Sequence, residues 1–133
     1  MPHTYALQVR SADVDLLQHV NHVRLFDYID EGRHNFLASI DPALPRLLSA
    51  LNDDVQFREQ VEADLAAVQI DVWVVDVTHD LVTLGTRIWS GDSDEPQVHV
   101  IATSEMRIRD RQTGDLDAYT EAFNAHRLTE AGA

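Results

Sequence analysis

The 133-residue chain contains no cysteine, no lysine and only five glycines, and it has no long apolar run. Without cysteine there is no disulfide framework and no thiolate metal site. No stretch approaches the roughly 18 apolar residues of a membrane span. The N-terminus also lacks the basic and apolar segments of a secretory leader. A cytoplasmic location, with no membrane partner, is the resulting expectation. All ten cations are arginine, set against 23 Asp and Glu for a formal net charge of −13. A surface this acidic repels nucleic acid, so DNA and RNA are not expected as partners. The scattered glycines build no phosphate-cradling loop, and no serine sits in a nucleophile elbow. His19 and His22 lie three apart and His34 twelve further on, without a carboxylate third ligand nearby. No metal site is expected from that spacing, and no cofactor.

What is present is 44% apolar and 25% charged, the balance of a globular domain. At this length residues 1–133 make a single domain with one core. The chain is organised around residues 9–37. Residues 4–10 alternate, with Tyr5, Leu7 and Val9 on one face of a half-buried strand. Asp13 and Asp15 follow, then a turn over Gln18–Asn21, then a helix of about four turns. Its apolar residues Leu25, Ile29, Phe36 and Ile40 recur at spacings of three and four if Gly32 is counted on the same stripe. Asn21 suits the N-cap, where its side chain accepts from a first-turn amide. Gly32 costs about 1 kcal/mol against alanine inside a helix, a cost that makes sense where another backbone comes close.

Asp41-Pro42 predicts a second helix running to about Leu51 and stopping at 52–54, with Pro45 disturbing its first turn. Residues 55–61 read as a short strand. From Ala67 the pattern turns to β, with Val68, Ile70, Val72 and Val74 alternating with Gln69, Asp71, Trp73 and Val75. A turn at 78–80 leads into a strand over 81–89, a polar loop over 91–96 and a long strand over 97–110, closed by a turn at 112–115. Three long strands joined by short turns are an antiparallel meander. With one long helix before it, the fold class is α+β, the helix packed on one sheet face. A tail helix is expected over 117–130. On the outer face Trp73, Val75, Trp89 and Ile101 form an apolar group that suggests a contact surface.

The chemistry follows from the helix start. First-turn amides lack intrahelical partners and carry partial positive charge, so they can hold an oxyanion. Asp15 stands six residues before Asn21 and can approach the same carbonyl as base or nucleophile. That pairing describes an acyl-transfer hydrolase. Each residue also has a plainer reading. Asp15 suits a turn cap, Asp13 an ion pair with Arg10, His19 a satisfied core position and Asn21 a cap alone. Arg107, Arg109 and Arg111 share one strand face and could meet phosphate in bidentate fashion, or simply face solvent.

The run Arg10-x-x-Asp13-x-Asp15-x-x-x-His19-Val20-Asn21, followed by Tyr28 and Glu31-Gly32-Arg33 on a helix, resembles the hotdog-fold acyl thioesterases. The similar branch holds the 4-hydroxybenzoyl-CoA thioesterase-like and acyl-ACP thioesterase-like proteins. The resemblance implies an antiparallel sheet wrapped around one long central helix and hydrolysis of an acyl-CoA or acyl carrier protein thioester. It also implies a homodimer or dimer of dimers with sites at the subunit interface. It assigns catalysis to Asp15 and His19, and substrate contact to the Val20 amide and Asn21, with Arg107 and Arg109 toward the phosphates. Some branches place a catalytic carboxylate on the central helix, which would be Glu31. The chain departs from the family at 77–84, which lacks the usual Gly and Ser, and at Leu17 and His22 in the helix entry. Two alternatives stand beside hydrolysis. One is a non-catalytic hotdog protein that binds acyl thioesters. The other is an enoyl-thioester hydratase, although those enzymes carry Asp and His five apart around Asn-Pro, and Asp15 and His19 are four apart without proline.

Overall fold

Five strands form one antiparallel sheet in the computed structural model, which describes residues 2–110 and 114–128. Along the chain the elements are β1 (His3–Gln8), α1 (His22–Ile40), α2 (Leu44–Leu47), β2 (Leu48–Phe57), β3 (Ala67–Val77), β4 (Leu81–Gly91), β5 (Pro96–Ile108) and α3 (Thr120–Asn124). Across the sheet their order is β1-β3-β4-β5-β2. The expected meander is there, with Val72 opposite Thr86 and Thr86 opposite Ala102. β1 and β2 lie on opposite edges, and α1 is the long element joining them. The helix therefore has to cross the sheet face from one edge toward the other. No helix among the described residues is long and apolar enough to cross a membrane.

α1 buries Leu25, Tyr28, Ile29, Gly32, Arg33, Phe36 and Leu37, the three-and-four spacing of one helix face. Against them sit Leu7, Ile70, Val72, Leu84, Ile88, Val100 and Ala102 from the strands. Full burial of each large apolar side chain contributes about 1.5–3 kcal/mol. Gly32 is where the helix touches β3, since a Cβ there would lie 2.5 Å from Ile70 Cγ2. Its lack of a side chain sets how closely the helix can seat.

The segment after α1 differs from its sequence reading. The second helix spans only Leu44–Leu47, and from Leu48 the chain enters a ten-residue strand through the acidic stretch expected to end a helix. Two facts explain this. A register shift between Ala50 and Asn52 breaks the period-two pattern, as a bulge does. Asp53 then pairs with Arg33 Nη1 at 2.7 Å, and Asp30 accepts from Nη2. An acid that looks like a helix stop is the solvent-side partner of a buried arginine.

Two further expectations are corrected. Trp73 is not available as a contact surface, being only 2% exposed and lying over Gly85, where a Cβ would overlap its ring. Trp89, Val75 and Ile101 stay half-buried, the Trp89 indole N–H donating to Asp71 at 3.0 Å beside Arg87. The tail helix is short. After Asn124 the chain turns onto the edge of β3, where the Val74 N–H donates to the His126 carbonyl at 2.9 Å and the Leu128 N–H to the Val74 carbonyl at 3.0 Å. Arg111, residues 112–113 and the end of the expected tail lie outside the described residues.

Candidate active site

The link from β1 to α1 is a tight, internally bonded turn. Val14 pairs with Val20, the Asp15 N–H donates to the His19 carbonyl at 3.0 Å, and Gln18 takes a φ of 64°. Residues other than glycine rarely hold that conformation, and the Asp15 side chain helps hold the turn, Oδ1 accepting from the Leu17 N–H at 2.9 Å. Asp15 Oδ2 has no partner among the described residues, and no arginine clasps the carboxylate. Asp13, two residues earlier, is buried and serves the core. It accepts from the Tyr28 hydroxyl at 2.7 Å, while Arg10 pairs with Glu31 at 2.6 Å instead of with Asp13. Burial first, then the hydrogen bond to Asp13, pushes the Tyr28 phenol well above its ordinary value.

A second segment closes the turn from the other side. The connection from β2 to β3 lies beside it, the Val20 N–H donating to the Val61 carbonyl at 2.8 Å and the Ala63 N–H to the Gln18 carbonyl at 2.9 Å. His19 Nε2 lies 3.4 Å from Glu62 Oε2. Between these segments and the start of α1 is a cavity of about 340 Å³, lined by Asp15, His19, Val20 and Asn21 together with residues the sequence did not suggest. Among the latter are His22, Phe57, Arg58 and His99. The His22 ring stacks on Phe57 with centroids 4.0 Å apart. His99 is 1% exposed and bonds Glu59 O through Nδ1 at 2.9 Å and Ser90 Oγ through Nε2 at 2.7 Å. A carbonyl only accepts, so in the neutral ring Nδ1 carries the proton and Ser90 donates to Nε2.

The amides at the helix entry are distributed differently from the expectation. The Val20 N–H is taken by Val61 and the Asn21 N–H donates to the Asp13 carbonyl at 3.0 Å, so these two are not available to a substrate. The Asn21 side chain caps the helix by accepting from the Val23 N–H at 2.8 Å. Arg24 and Leu25 both donate to the Asn21 carbonyl. The first-turn N–H left without a partner among the described residues is that of His22. The helix dipole still points its positive end at this cavity, but through one amide, displaced by one residue from the expected set.

Arg107 and Arg109 do not join this cavity. Arg107 is exposed on β5, and Arg109 Nε donates to the Leu48 carbonyl at 3.1 Å. Arg109 lines a separate cavity of about 440 Å³ toward the other end of α1, together with Glu31, Arg33, Leu37 and Met106. Nothing in the local sequence could have revealed the cavity wall at 57–61, because the contacts are made across the fold. A polar His99 between Val98 and Val100 was the one available signal.

No family model matches the chain, and no curated protein matches it in sequence. Solved structures do match in fold. A predicted thioesterase from Bacillus stearothermophilus is 15% identical with a TM-score of 0.81, over 98% of this chain and 100% of that one. The probable thioesterase YbaW from Escherichia coli is 19% identical with a TM-score of 0.71, over 92% and 96%. A mutant 4-hydroxybenzoyl-CoA thioesterase in complex with 4-hydroxybenzoyl-CoA is 9% identical with a TM-score of 0.70, over 80% and 83%. The chain therefore has the hotdog fold of these thioesterase structures.

Proposed function

We propose that this protein hydrolyses acyl thioesters of coenzyme A or of an acyl carrier protein. The observation that carries this reading is the Asp15 carboxylate, which lines the cavity at the start of α1 with one oxygen unbonded and no arginine paired to it among the described residues. The likeness of the fold to thioesterase structures supports the reaction class, and the complex of one of them with an acyl-CoA supports the substrate class.

In the general-base route Asp15 takes a proton from water, and the hydroxide adds to the carbonyl carbon. The charge developing on the carbonyl oxygen meets the His22 N–H and the positive helix end. The C–S bond then breaks, and the proton on Asp15 passes to the departing sulfur to give free acid and thiol. In the nucleophilic route Asp15 itself adds to the carbonyl, the C–S bond breaks to expel the thiolate, and water then cleaves the mixed anhydride, its released proton going to the thiolate. His19, bonded through its carbonyl to the Asp15 amide and facing Glu62, holds the turn and the acid within it. Asn21 keeps the first turn formed, and Val20 supplies cavity wall.

The reading includes a homodimer or a dimer of dimers, with the neighbouring chain completing the site. Two features support it. The outer edge of β2 has no strand partner among the described residues. Leu16 at 98% exposed, Leu17, Val23, Phe26 and Leu51 all leave apolar surface open around the helix entry and that edge. Their exposure replaces the Trp73 face as the contact surface.

The test is thiol release from a panel of acyl-CoA and acyl carrier protein thioesters, with Asp15→Asn assayed in parallel. Hydrolysis by the native protein that is lost in the variant supports the mechanism. Thioester binding without release by the native protein replaces it with the binding-protein reading, which the single free helix amide would then explain.

A further inference from the structure

Among the described residues, five of the arginines pair with a carboxylate. Arg10 pairs with Glu31, Arg24 with Asp27, Arg33 with Asp30 and Asp53, Arg87 with Asp71 and Arg127 with Asp76. Arg58 is different. Its side chain is exposed, its guanidinium reaches only the neutral Gln56 amide oxygen at 3.2 Å, and it has no acidic partner among the described residues. It is also the arginine that lines the Asp15 cavity. A guanidinium left without a carboxylate in a chain of net charge −13 holds unspent binding capacity.

Its position adds a direction. Arg58 and Glu59 line both the Asp15 cavity and a shallow hollow of about 510 Å³ at the start of β5, whose other walls are Pro96, Gln97 and Val98. The backbone here is fixed. The Arg58 N–H donates to the His99 carbonyl at 2.8 Å and the Glu59 N–H to the Val98 carbonyl at 3.2 Å, continuing the β2 ladder past Phe57. His99 in turn holds the Glu59 carbonyl from beneath. A flexible arm leaving the Asp15 cavity through this wall passes the Arg58 side chain.

We propose that Arg58 binds the phosphate of the thiol-bearing arm, with phosphopantetheine chemistry, as that arm leaves the Asp15 cavity for the hollow. The proposal deepens the thioester hydrolase reading and rests on it. Guanidinium binds phosphate by paired, charge-assisted hydrogen bonds. Coenzyme A and a phosphopantetheinylated carrier protein both present such a phosphate, whereas pantetheine does not.

The experiment compares one acyl group carried on coenzyme A, on a phosphopantetheinylated carrier protein and on pantetheine. Arg58→Gln is expected to raise KM about tenfold for the phosphate-bearing donors, the size of one charge-assisted contact. KM for acyl-pantetheine and kcat for all donors stay as they were. Arg58→Lys recovers part of the loss, and added salt weakens the native protein toward the variant. An effect on one phosphate-bearing donor alone identifies the source. An equal rise for acyl-pantetheine, or no rise for any donor, overturns the proposal. Titration calorimetry with coenzyme A and with pantetheine keeps the question separate from catalysis. If the native protein hydrolyses nothing, the hydrolase reading fails. The Arg58 proposal then fails only if Arg58→Gln leaves coenzyme A binding unchanged.

Discussion

The two ends of the α1 face make opposite uses of charge. Around Arg33, the charges carried by α1 are answered: Asp30 and Asp53 take the guanidinium, and nearby Glu31 is held by Arg10. Around Asp15, the carboxylate has only a turn amide, and Arg58 only a neutral amide. A matched buried charge fixes geometry, because removing its partner strands it. An unmatched charge at a cavity wall can meet something that arrives from outside. The contrast separates residues that hold the fold from residues poised for chemistry, although both sets are Asp and Arg.

Mutations at the two ends sharpen this contrast. Asp15→Asn keeps the acceptor for the Leu17 amide while removing the base. Hydrolysis should fall by about 10²–10⁴-fold, with the urea midpoint almost unmoved. Arg33→Ala is the mirror experiment. It should cost about 1–3 kcal/mol in equilibrium unfolding through the lost packing of its buried stem, since Asp53 and Asp30 stay accessible to water, with KM unchanged in whatever fraction stays folded. If Asp15→Asn destabilised the protein as strongly as Arg33→Ala, the division would be broken.

Tyr28→Phe tests the boundary between the two regions, since Tyr28 sits on α1 yet bonds Asp13 of the site turn. The loss should be about 1.5–3 kcal/mol, the range for a hydrogen bond to a charged group. The pH dependence has a definite sign. The folded Tyr28 phenol is raised above its ordinary value of 10.0, so its contribution is fully present below pH 10.0 and is lost as pH rises toward the folded pKa. Unfolding curves of the native protein should weaken above that pH, and the Phe variant should lack this part of the decline. Asn21→Ala is the smallest change, costing about 1 kcal/mol of helix cap, and hydrolysis should drop only as far as the first turn frays.

How much was legible beforehand follows the range of the interactions. α1 and the β3–β4–β5 meander declared themselves because their signals are local periodicities in Leu25–Phe36 and Val68–Val74. Asp15, His19, Val20 and Asn21 were found as neighbours because the turn that gathers them is seven residues long. The strand at Leu48–Phe57 was hidden by the bulge near Leu51 and by Asp53, whose polarity makes sense only with Arg33 opposite. Trp73 looked like exposed surface because its cover is the bare backbone of Gly85, twelve residues on and across a strand pair. The wall from Phe57 to Val61 reaches the site through hydrogen bonds spanning some forty residues, and no window along the chain contains both ends.

Those hydrogen bonds carry an engineering consequence. Transplanting residues 13–40 onto another scaffold would move the acid, the cap and the helix but leave behind the strand connector that takes the Val20 amide and supports the Gln18 carbonyl. The recipient would gain a loop with the right letters and no floor beneath it. Any portable version of this site has to travel as two discontinuous pieces.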